Sequence, residues 1–176
     1  MNLQFEELTH QNFADAKKID RDDIPEAYVD TVSTLMELTD YGVEHGCIGH
    51  TFLVRLDGSC VATILLGEAI PWETDPPEVK ERPFYRLMGF VVDRACRGRG
   101  LGGEILEETI RRVCREFGER PIVLGCHVGN QRAARFYERH GFVPTDYLEG
   151  NDRYYLRGCA HTVQCANGEG SPCHMS

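Results

Sequence analysis

The feature that most constrains the fold of this chain is a run of four glycines between residues 98 and 103. The run follows the apolar segment FYRLMGFVV (84–92) and precedes residues 103–118, whose apolar side chains recur at helical spacing. Glycines let the backbone bend sharply and come close to a ligand. The first N–H groups of a helix, together with the positive end of its dipole, bind phosphate. The pattern therefore predicts a buried strand, a phosphate-binding loop and an amphipathic helix in succession.

Two familiar phosphate-binding motifs fit this loop poorly. Residues 98–103 formally match the dinucleotide fingerprint G-x-G-x-x-G. A dinucleotide-binding unit also needs an acidic residue at the end of the following strand, where it binds the ribose. The following strand, PIVLGCHV (121–128), contains no acid, and the chain lacks the G-K-[ST] of a P-loop. An oxidoreductase that binds NAD is therefore a weak alternative.

The remaining patterns predict the layers around this loop. A strand near the N-terminus is followed by two helices, the second of which is expected to begin near Pro25, because proline suits a first helical turn. Two apolar runs flank Asp57-Gly58-Ser59, which is a strong hairpin signal. Residues 70–83 are polar and rich in proline and predict an exposed loop. A short helix ending at Gly141 and a closing pair of strands complete the domain.

The composition is that of one soluble domain. The chain has 176 residues, of which 41% are hydrophobic and 27% charged. We expect the domain to span residues 1–158 and residues 159–176 to form a flexible tail. No apolar run approaches the roughly 20 residues that span a bilayer, and the N-terminus lacks a signal-peptide pattern. These features predict a cytoplasmic protein without a membrane partner, whose scattered cysteines are reduced and buried.

The charge is unevenly distributed along the chain. The formal net charge is −9; residues 1–50 hold eleven acids against three Lys and Arg, whereas residues 97–139 hold nine Arg against six acids. An acidic half beside a basic half argues against nucleic-acid binding. The contrast is compatible with a cationic acceptor that meets a polyanionic cofactor, and also with ordinary solvated surface charge.

Two motifs in the right order resemble those of the GNAT N-acetyltransferases. The segment Arg97-Gly98-Arg99-Gly100-Leu101-Gly102 resembles the family signature R/Q-x-x-G-x-G/A. Downstream, the residues Asn130-x-x-Ala133-x-x-Phe136-Tyr137-x-x-x-Gly141-Phe142 are similar to a second family block. The resemblance implies a GNAT fold of the mixed α/β class. In that fold the central sheet is mostly antiparallel with one splayed parallel pair, and about four helices flank the sheet. The resemblance also implies acetyl-CoA as co-substrate, no metal, and a possible homodimer.

The resemblance assigns roles to individual residues. Tyr137 matches the family tyrosine that donates a proton to the departing thiolate. Asn130 is expected to cap its helix and to reach the cofactor, or to act as a cap alone. The backbone of Phe90, Val91 and Val92 is expected to pair with pantetheine. The residues expected to bind the pyrophosphate are Arg97, Gly98, Arg99, Gly100, Leu101, Gly102 and Gly103.

The general base is not evident, because residues 84–92 contain no acid. Glu37, Asp40 and His127 are possible substitutes. Asp30, Glu37 and Glu44 recur every seven residues and predict one acidic face of the second helix, which either binds a cationic amine or is simply solvated. Cysteines and histidines in the tail are ligand types for zinc, but their spacing matches no familiar zinc site.

The leading hypothesis that the resemblance implies is an enzyme that transfers an acetyl group from acetyl-CoA to a small-molecule primary amine, such as a polyamine or an amino-acid-like amine. A protein or peptide N-acetyltransferase and a non-catalytic acetyl-CoA-binding regulatory module are the alternatives. An open, flat acceptor groove would favour a peptide, whereas a closed pocket under residues 71–83 would favour a small amine.

Overall fold

The computed structural model describes residues 2–159, so most of the expected flexible tail, with its histidines and all but one of its cysteines, lies outside the described residues. Within that range no helix has the length and apolar character needed to cross a membrane. The strands are β1 (Leu3–Glu7), β2 (Gly49–Leu56), β3 (Ser59–Glu68), β4 (Tyr85–Val92), β5 (Ile122–His127), β6 (Val143–Glu149) and β7 (Asp152–Arg157). The helices are α1 (Phe13–Ala16), α2 (Val32–Glu44), α3 (Pro77–Lys80), α4 (Leu101–Phe117) and α5 (Gln131–Arg139).

The strands form one mixed sheet in the order β1-β2-β3-β4-β5-β7-β6. Every neighbouring pair is antiparallel except β4 and β5, which are parallel. This arrangement confirms the expected mixed α/β fold class. Of the five α-helices in the described chain, α1 and α3 are single turns.

The parallel pair separates soon after it begins. Tyr85 lies opposite Ile122 and Arg86 opposite Val123, and no later residues of the two strands are in register. Backbone groups that leave a sheet ladder need other partners. The separation therefore leaves the edges of β4 and β5 that face each other available to a bound molecule.

Helices cover both faces of the sheet. Helices α4 and α5 pack on one face, over Tyr85, Leu87, Ile122 and Leu124. Helices α1 and α2 pack on the other face, where Leu35 of α2 joins a cluster that includes Val91. The predicted apolar face of α4 is confirmed, with Leu101, Ile105, Thr109 and Val113 buried and Phe117 half-buried.

A bulge in β4 lies directly beneath α2. Gly89 adopts a φ of +56°, and the register of β3 against β4 shifts beside it, between Thr63 and Leu65. The Thr63 hydroxyl donates a hydrogen bond of 3.0 Å to the Gly89 carbonyl. A Cβ at residue 89 would lie 2.5 Å from Cδ1 of Leu35. Only glycine suits both this conformation and this close approach.

We expect Gly89→Ala to lower the free energy of unfolding by about 1–3 kcal/mol more than Gly58→Ala, because only the former overpacks the core. Gly58 has a similarly positive φ of 86°, but a Cβ there would meet no atom within 4 Å. Urea unfolding of both variants measures the difference. Equal decreases in the free energy of unfolding would mean that Leu35 of α2 does not limit the space beside residue 89.

The second helix begins later than predicted. Pro25 precedes only a single 3₁₀ turn, and α2 begins at Val32. The cause is local, since the Thr31 hydroxyl accepts a hydrogen bond of 3.1 Å from the backbone N–H of Thr34 and so caps the helix. Asp30 therefore precedes the helix, and the predicted acidic face shared by Asp30, Glu37 and Glu44 is wrong.

Residues 70–83 are also more ordered than the exposed loop that was predicted. They contain α3 and bury Asp75 and Val79. Asp75 forms an ion pair of 2.8 Å with Arg86 on β4, and Val79 packs against Tyr154 on β7. A buried pair across two segments holds this part of the chain against the sheet.

The described cysteines are all free thiols, as predicted. Their expected burial is wrong for most of them, because only Cys126 is buried and the others are half-buried.

Candidate active site

A cleft of about 1170 Å³ opens where β4 and β5 separate. It is lined by residues 86–92 of β4 and by residues 124–126 of β5. Side chains alternate between the faces of a strand. Leu87 and Leu124 belong to the cluster under α4, whereas the adjacent Arg86 and Gly125 face the opposite side. The cleft therefore passes through the sheet and has two chambers, a helix-side chamber towards α4 and α5 and an opposite chamber.

The glycine loop borders the helix-side chamber. Gly98 and Gly100 both have a φ of +80°, and a Cβ at either would meet no atom within 4 Å. Gly100 is the N-cap of α4, and no side chain of the described chain caps that helix. The first N–H groups of α4 thus remain open to a ligand, which is the chemistry of a phosphate site. The loop thus has the open backbone expected of a site that binds pyrophosphate.

Arg97 lines the cleft, and its guanidinium is also held by hydrogen bonds within the protein. Its Nη1 donates hydrogen bonds of 2.9 and 2.6 Å to the carboxylate of Asp23, and its Nε donates one of 2.7 Å to the Val92 carbonyl. The guanidinium is therefore neutralised and ties the loop to the N-terminal segment. Arg99 and Leu101 do not line the cleft, and Leu101 is only 6% exposed in the core.

Two of the expected residues take part in helix packing. A Cβ at Gly103 would lie 2.7 Å from the His140 ring, so this glycine permits α5 to approach α4. Asn130 caps α5, with its Oδ1 accepting a hydrogen bond of 3.2 Å from the Ala133 N–H. Both residues also line the cleft, as do Phe90, Val91 and Val92.

Sequence reasoning missed two arginines in the helix-side chamber. Arg132 and Arg139 of α5 line the cleft, and within residues 2–159 neither forms an ion pair. Their spacing of seven residues places them on one helix face, which is a signal present in the sequence. The packing of α5 against α4 decides which face of α5 meets the cleft. In that packing the ring of Phe136 lies 3.5 Å from the Cβ position of Gly102. These arginines add positive charge to the chamber.

Tyr137 borders the same chamber, beside Cys126 of β5. Its ring packs edge-to-face against Phe136 and Phe142 at centroid distances of 5.3 and 5.7 Å. Burial raises the pKa of Tyr137 well above its ordinary value, and the neighbouring Cys126 raises it further. The hydroxyl therefore stays protonated at neutral pH and can donate a hydrogen bond. Burial also raises the pKa of Cys126 to about 11, so this thiol is neutral and a poor nucleophile.

The opposite chamber is bordered by Trp72 of residues 70–83 and by Glu149, Asp152 and Tyr154 of the hairpin of β6 and β7. Trp72 stacks over the Arg86 guanidinium at 3.7 Å. The Tyr154 hydroxyl donates a hydrogen bond of 2.7 Å to Glu149 and lies 2.9 Å from the Thr74 hydroxyl. The contact between Tyr154 and Thr74 joins residues 70–83 to this hairpin.

Asp30, Glu149 and Asp152 are three of the carboxylates that line the cleft, which Asp23, Glu26, Glu104 and Glu107 also line. Asp152 lies beside Gly125, with its Cβ 3.5 Å from the Cβ position of that glycine. Burial raises the pKa of Asp30 and of Asp152, and the charges of Glu149 and Asp30 raise the pKa of Asp152 further. Carboxylates of raised pKa in a cleft are suited to accept protons.

None of the substitute bases predicted from sequence lines the cleft, although His127 lies opposite Asp152 in the pairing of β5 with β7. Glu37, Asp40 and His127 do not line the cleft. Asp40 forms an ion pair of 3.0 Å with His10, and His127 stacks on Tyr28 at 4.8 Å. Nothing along the sequence distinguishes Asp152 from other acids in turns, because its place depends on β7 lying next to β5.

Metal-ligand residues do not cluster in the described part of the chain. Between residues 2 and 159 there is no group of three or more His, Cys, Asp or Glu side chains that could hold a metal ion.

The chain is similar in sequence to known acetyltransferases. The model of the acetyltransferase (GNAT) family matches residues 13–142. The putative phosphinothricin acetyltransferase YwnH of Bacillus subtilis (strain 168) is 31% identical over 72 residues. That match spans 39% of this chain and 44% of the length of YwnH.

Solved structures share the fold at low sequence identity. AAC(6')-Ib in complex with paromomycin and acetyl-CoA superposes with a TM-score of 0.70 at 14% identity, covering 97% of this chain and 100% of that chain. Arabidopsis thaliana Naa50, in complex with the bisubstrate analogue CoA-Ac-MVNAL, superposes with a TM-score of 0.61 at 19% identity, covering 89% and 97%. At such identities the likeness shows the fold alone.

Proposed function

Since the chain belongs to the GNAT family of acetyltransferases, we propose that it transfers an acetyl group from acetyl-CoA to the primary amine of a small molecule. The observation that carries the small-molecule assignment is the wall that residues 70–83 form beside the opposite chamber, where Trp72 lines the cleft. Residues 70–83 are held on the sheet by the Asp75–Arg86 ion pair, with Trp72 stacked over Arg86. A peptide needs an open groove, whereas this wall favours a compact acceptor.

The helix-side chamber holds the donor in this proposal. Acetyl-CoA supplies an activated acetyl thioester when it is bound. The open N–H groups at Gly98, Gly100 and Gly102 bind its pyrophosphate, with Arg132 and Arg139 adding positive charge. The backbone of residues 90–92, which β5 does not pair, hydrogen-bonds the pantetheine arm.

The acid and the base act from opposite faces of the sheet. An ammonium has no lone pair, so the acceptor must lose a proton before it can react. Asp152 lies in the opposite chamber and accepts this proton. Tyr137 lies in the helix-side chamber, where its protonated hydroxyl donates a hydrogen bond to the departing sulfur. The acceptor thus approaches from one face while the thiol leaves towards the other.

The test is to mix the protein with acetyl-CoA and a panel of amines and to follow release of free thiol. The panel contains amino acids, spermidine, an aminoglycoside and short peptides, and the protein thiols are blocked beforehand as a control. Release with a small amine supports the proposal. Release only with peptides would favour a peptide N-acetyltransferase. Acetyl-CoA binding without turnover of any amine would favour a regulatory module.

We expect Asp152→Asn to lower kcat/KM by about 10²-fold at neutral pH, because the proton acceptor is lost. In the wild-type protein kcat/KM falls at low pH as Asp152 takes up a proton. Since burial raises the pKa of this carboxyl, the fall begins above the ordinary aspartate range of about 3.9. A pH–rate profile of the variant lacks this inflection.

Asp146→Asn is the matched control, because Asp146 is exposed on β6 and does not line the cleft. An Asp152→Asn profile that keeps both the rate and the inflection would transfer the role of base to another group.

A further inference from the structure

Trp72 is a large apolar side chain that is left partly exposed at the cleft. It is the single tryptophan of the chain, it lines the cleft, and 37% of its surface is exposed. Small-molecule sites are lined mostly by apolar and aromatic side chains, because removing apolar surface from water favours binding. The indole of Trp72 therefore offers contact area to an apolar group in the opposite chamber.

A closed cycle of three contacts fixes the position of Trp72. The Arg86 guanidinium lies 3.7 Å from the centre of the indole ring. Arg86 forms an ion pair of 2.8 Å with Asp75, and Asp75 accepts a hydrogen bond of 2.6 Å from the backbone N–H of Trp72. The side chain that covers one face of the ring is thus tied back to the backbone of the same residue. A side chain that is already held in place loses little conformational entropy when it binds a ligand.

Arg86 also influences what can bind to the ring. A cation–π contact uses the negative face of an aromatic ring, and one face of Trp72 already meets the Arg86 cation. A second cation on the other face would lie close to Arg86 across the ring, where like charges repel. A neutral apolar group meets no such repulsion. The remaining surface of Trp72 therefore favours a hydrocarbon or aromatic group over a second ammonium.

The proposed base lies on the neighbouring wall of the same chamber. The Thr74 hydroxyl, which follows Trp72 closely along the chain, lies 2.9 Å from the Tyr154 hydroxyl. Asp152 and Tyr154 are alternate residues of β7, so their side chains face the same side of the sheet. Trp72, Tyr154 and Asp152 all line the cleft. A carboxylate suited to accept a proton and an indole suited to cover apolar surface thus border one chamber.

We infer that Trp72 is the specificity-determining residue of the acceptor chamber, and that the acceptor is a primary amine whose body is a hydrocarbon chain or an aromatic ring packed against Trp72. The inference rests on the proposed acetyl transfer and specifies its substrate class. The reacting ammonium faces Asp152, and the body of the molecule covers the indole. A polyamine would place a further ammonium near Arg86, and a polyhydroxylated amine would lose hydrogen bonds to water against the indole.

Acetyl transfer to such an amine balances without a further reactant. The amine nitrogen forms a bond to the acetyl carbonyl carbon as the carbon–sulfur bond breaks. One ammonium proton passes to Asp152 and then to solvent. A second proton from the nitrogen balances the one gained by the sulfur, which leaves as the thiol of coenzyme A.

Intrinsic fluorescence tests the contact in the wild-type protein, because all tryptophan emission comes from Trp72. Hexylamine, phenethylamine, cadaverine and an amino ether alcohol of the same length as hexylamine are titrated into protein saturated with coenzyme A. We expect a saturable shift of the emission to shorter wavelength with hexylamine and phenethylamine, because these amines displace water from the indole. The same response to every amine, or no response to the two apolar amines, would overturn the inference.

Thiol release with the same amines and acetyl-CoA tests the substrate class. We expect the better apolar amine to exceed both cadaverine and the amino ether alcohol in kcat/KM by about tenfold or more, because each buried methylene favours binding. Equal or better use of either polar amine would overturn the inference and leave the proposed acetyl transfer intact. A fluorescence shift without turnover of any amine would count against the proposed function alone.

Trp72 variants test the residue itself. We expect Trp72→Ala to raise KM for hexylamine by about tenfold, whereas KM for the amino ether alcohol changes by less than about twofold. Trp72→Phe keeps an aromatic surface and is expected to restore most of the affinity for hexylamine. Tyr41→Ala is the control, because Tyr41 is also exposed and stacks on the ring of His45 but does not line the cleft. An equal rise of KM for both amines in Trp72→Ala would contradict an apolar contact.

Discussion

Replacement of Tyr137 by phenylalanine is expected to lower kcat by about 10²-fold and to leave the Kd for acetyl-CoA almost unchanged. The ring of Tyr137 is held by Phe136 and Phe142, and phenylalanine keeps those contacts. What disappears is the hydroxyl, which burial keeps protonated at neutral pH. A hydrogen bond to the departing sulfur matters only as charge develops there, so the loss falls on the rate and not on binding.

The measurement is steady-state thiol release, with calorimetry for the Kd. Tyr147→Phe is the control, because Tyr147 is exposed on β6 and lies outside the cleft. Unchanged turnover in the Tyr137 variant would remove this residue from the acid role. A large rise in Kd would instead mean that it binds the donor.

The second large effect is expected from Gly100→Glu, which we predict to raise the Kd for coenzyme A by at least 10²-fold. Gly100 is the N-cap of α4 and has a φ of +80°, so any side chain there is strained. Its Cβ position opens into the cleft, where a glutamate would place negative charge at the proposed pyrophosphate site. Like charges and lost N–H groups both oppose binding.

Gly46→Glu is the matched control for strain and charge. Gly46 has a φ of 64°, a Cβ there meets no atom within 4 Å, and the residue does not line the cleft. Calorimetric titration with coenzyme A and thermal unfolding of both variants separate binding from stability. If both variants bind coenzyme A equally well, the glycine loop does not hold the phosphates.

The elements around the proposed donor site follow from local sequence signals. The apolar periodicity of residues 103–118 predicts α4, and the glycines before it predict a loop that exposes the first N–H groups of the helix. Both signals come from residues adjacent along the chain, so they need no knowledge of the rest of the fold. Asp57-Gly58 likewise specifies its hairpin, because Asp57 and Gly58 both adopt positive φ.

Local signals were misleading where a stronger neighbour competed. Proline at residue 25 suits a helix start, but the Thr31 cap six residues later begins the helix instead. The polar composition of residues 70–83 predicted exposure, whereas Asp75 is buried because a distant strand supplies Arg86 as its partner. The sequence of one segment does not reveal which side chain of a distant strand will pair with it.

The acceptor site depends entirely on such long-range pairing. Arg86 and Asp152 share a chamber only because β4 and β5 diverge after two residue pairs and because β7 lies between β5 and β6. The sequence alone therefore specified the family motifs, the donor loop and Tyr137 as a candidate acid. The tertiary structure determined which carboxylates line the proposed acceptor chamber, since residues of distant segments meet only after the strands have paired.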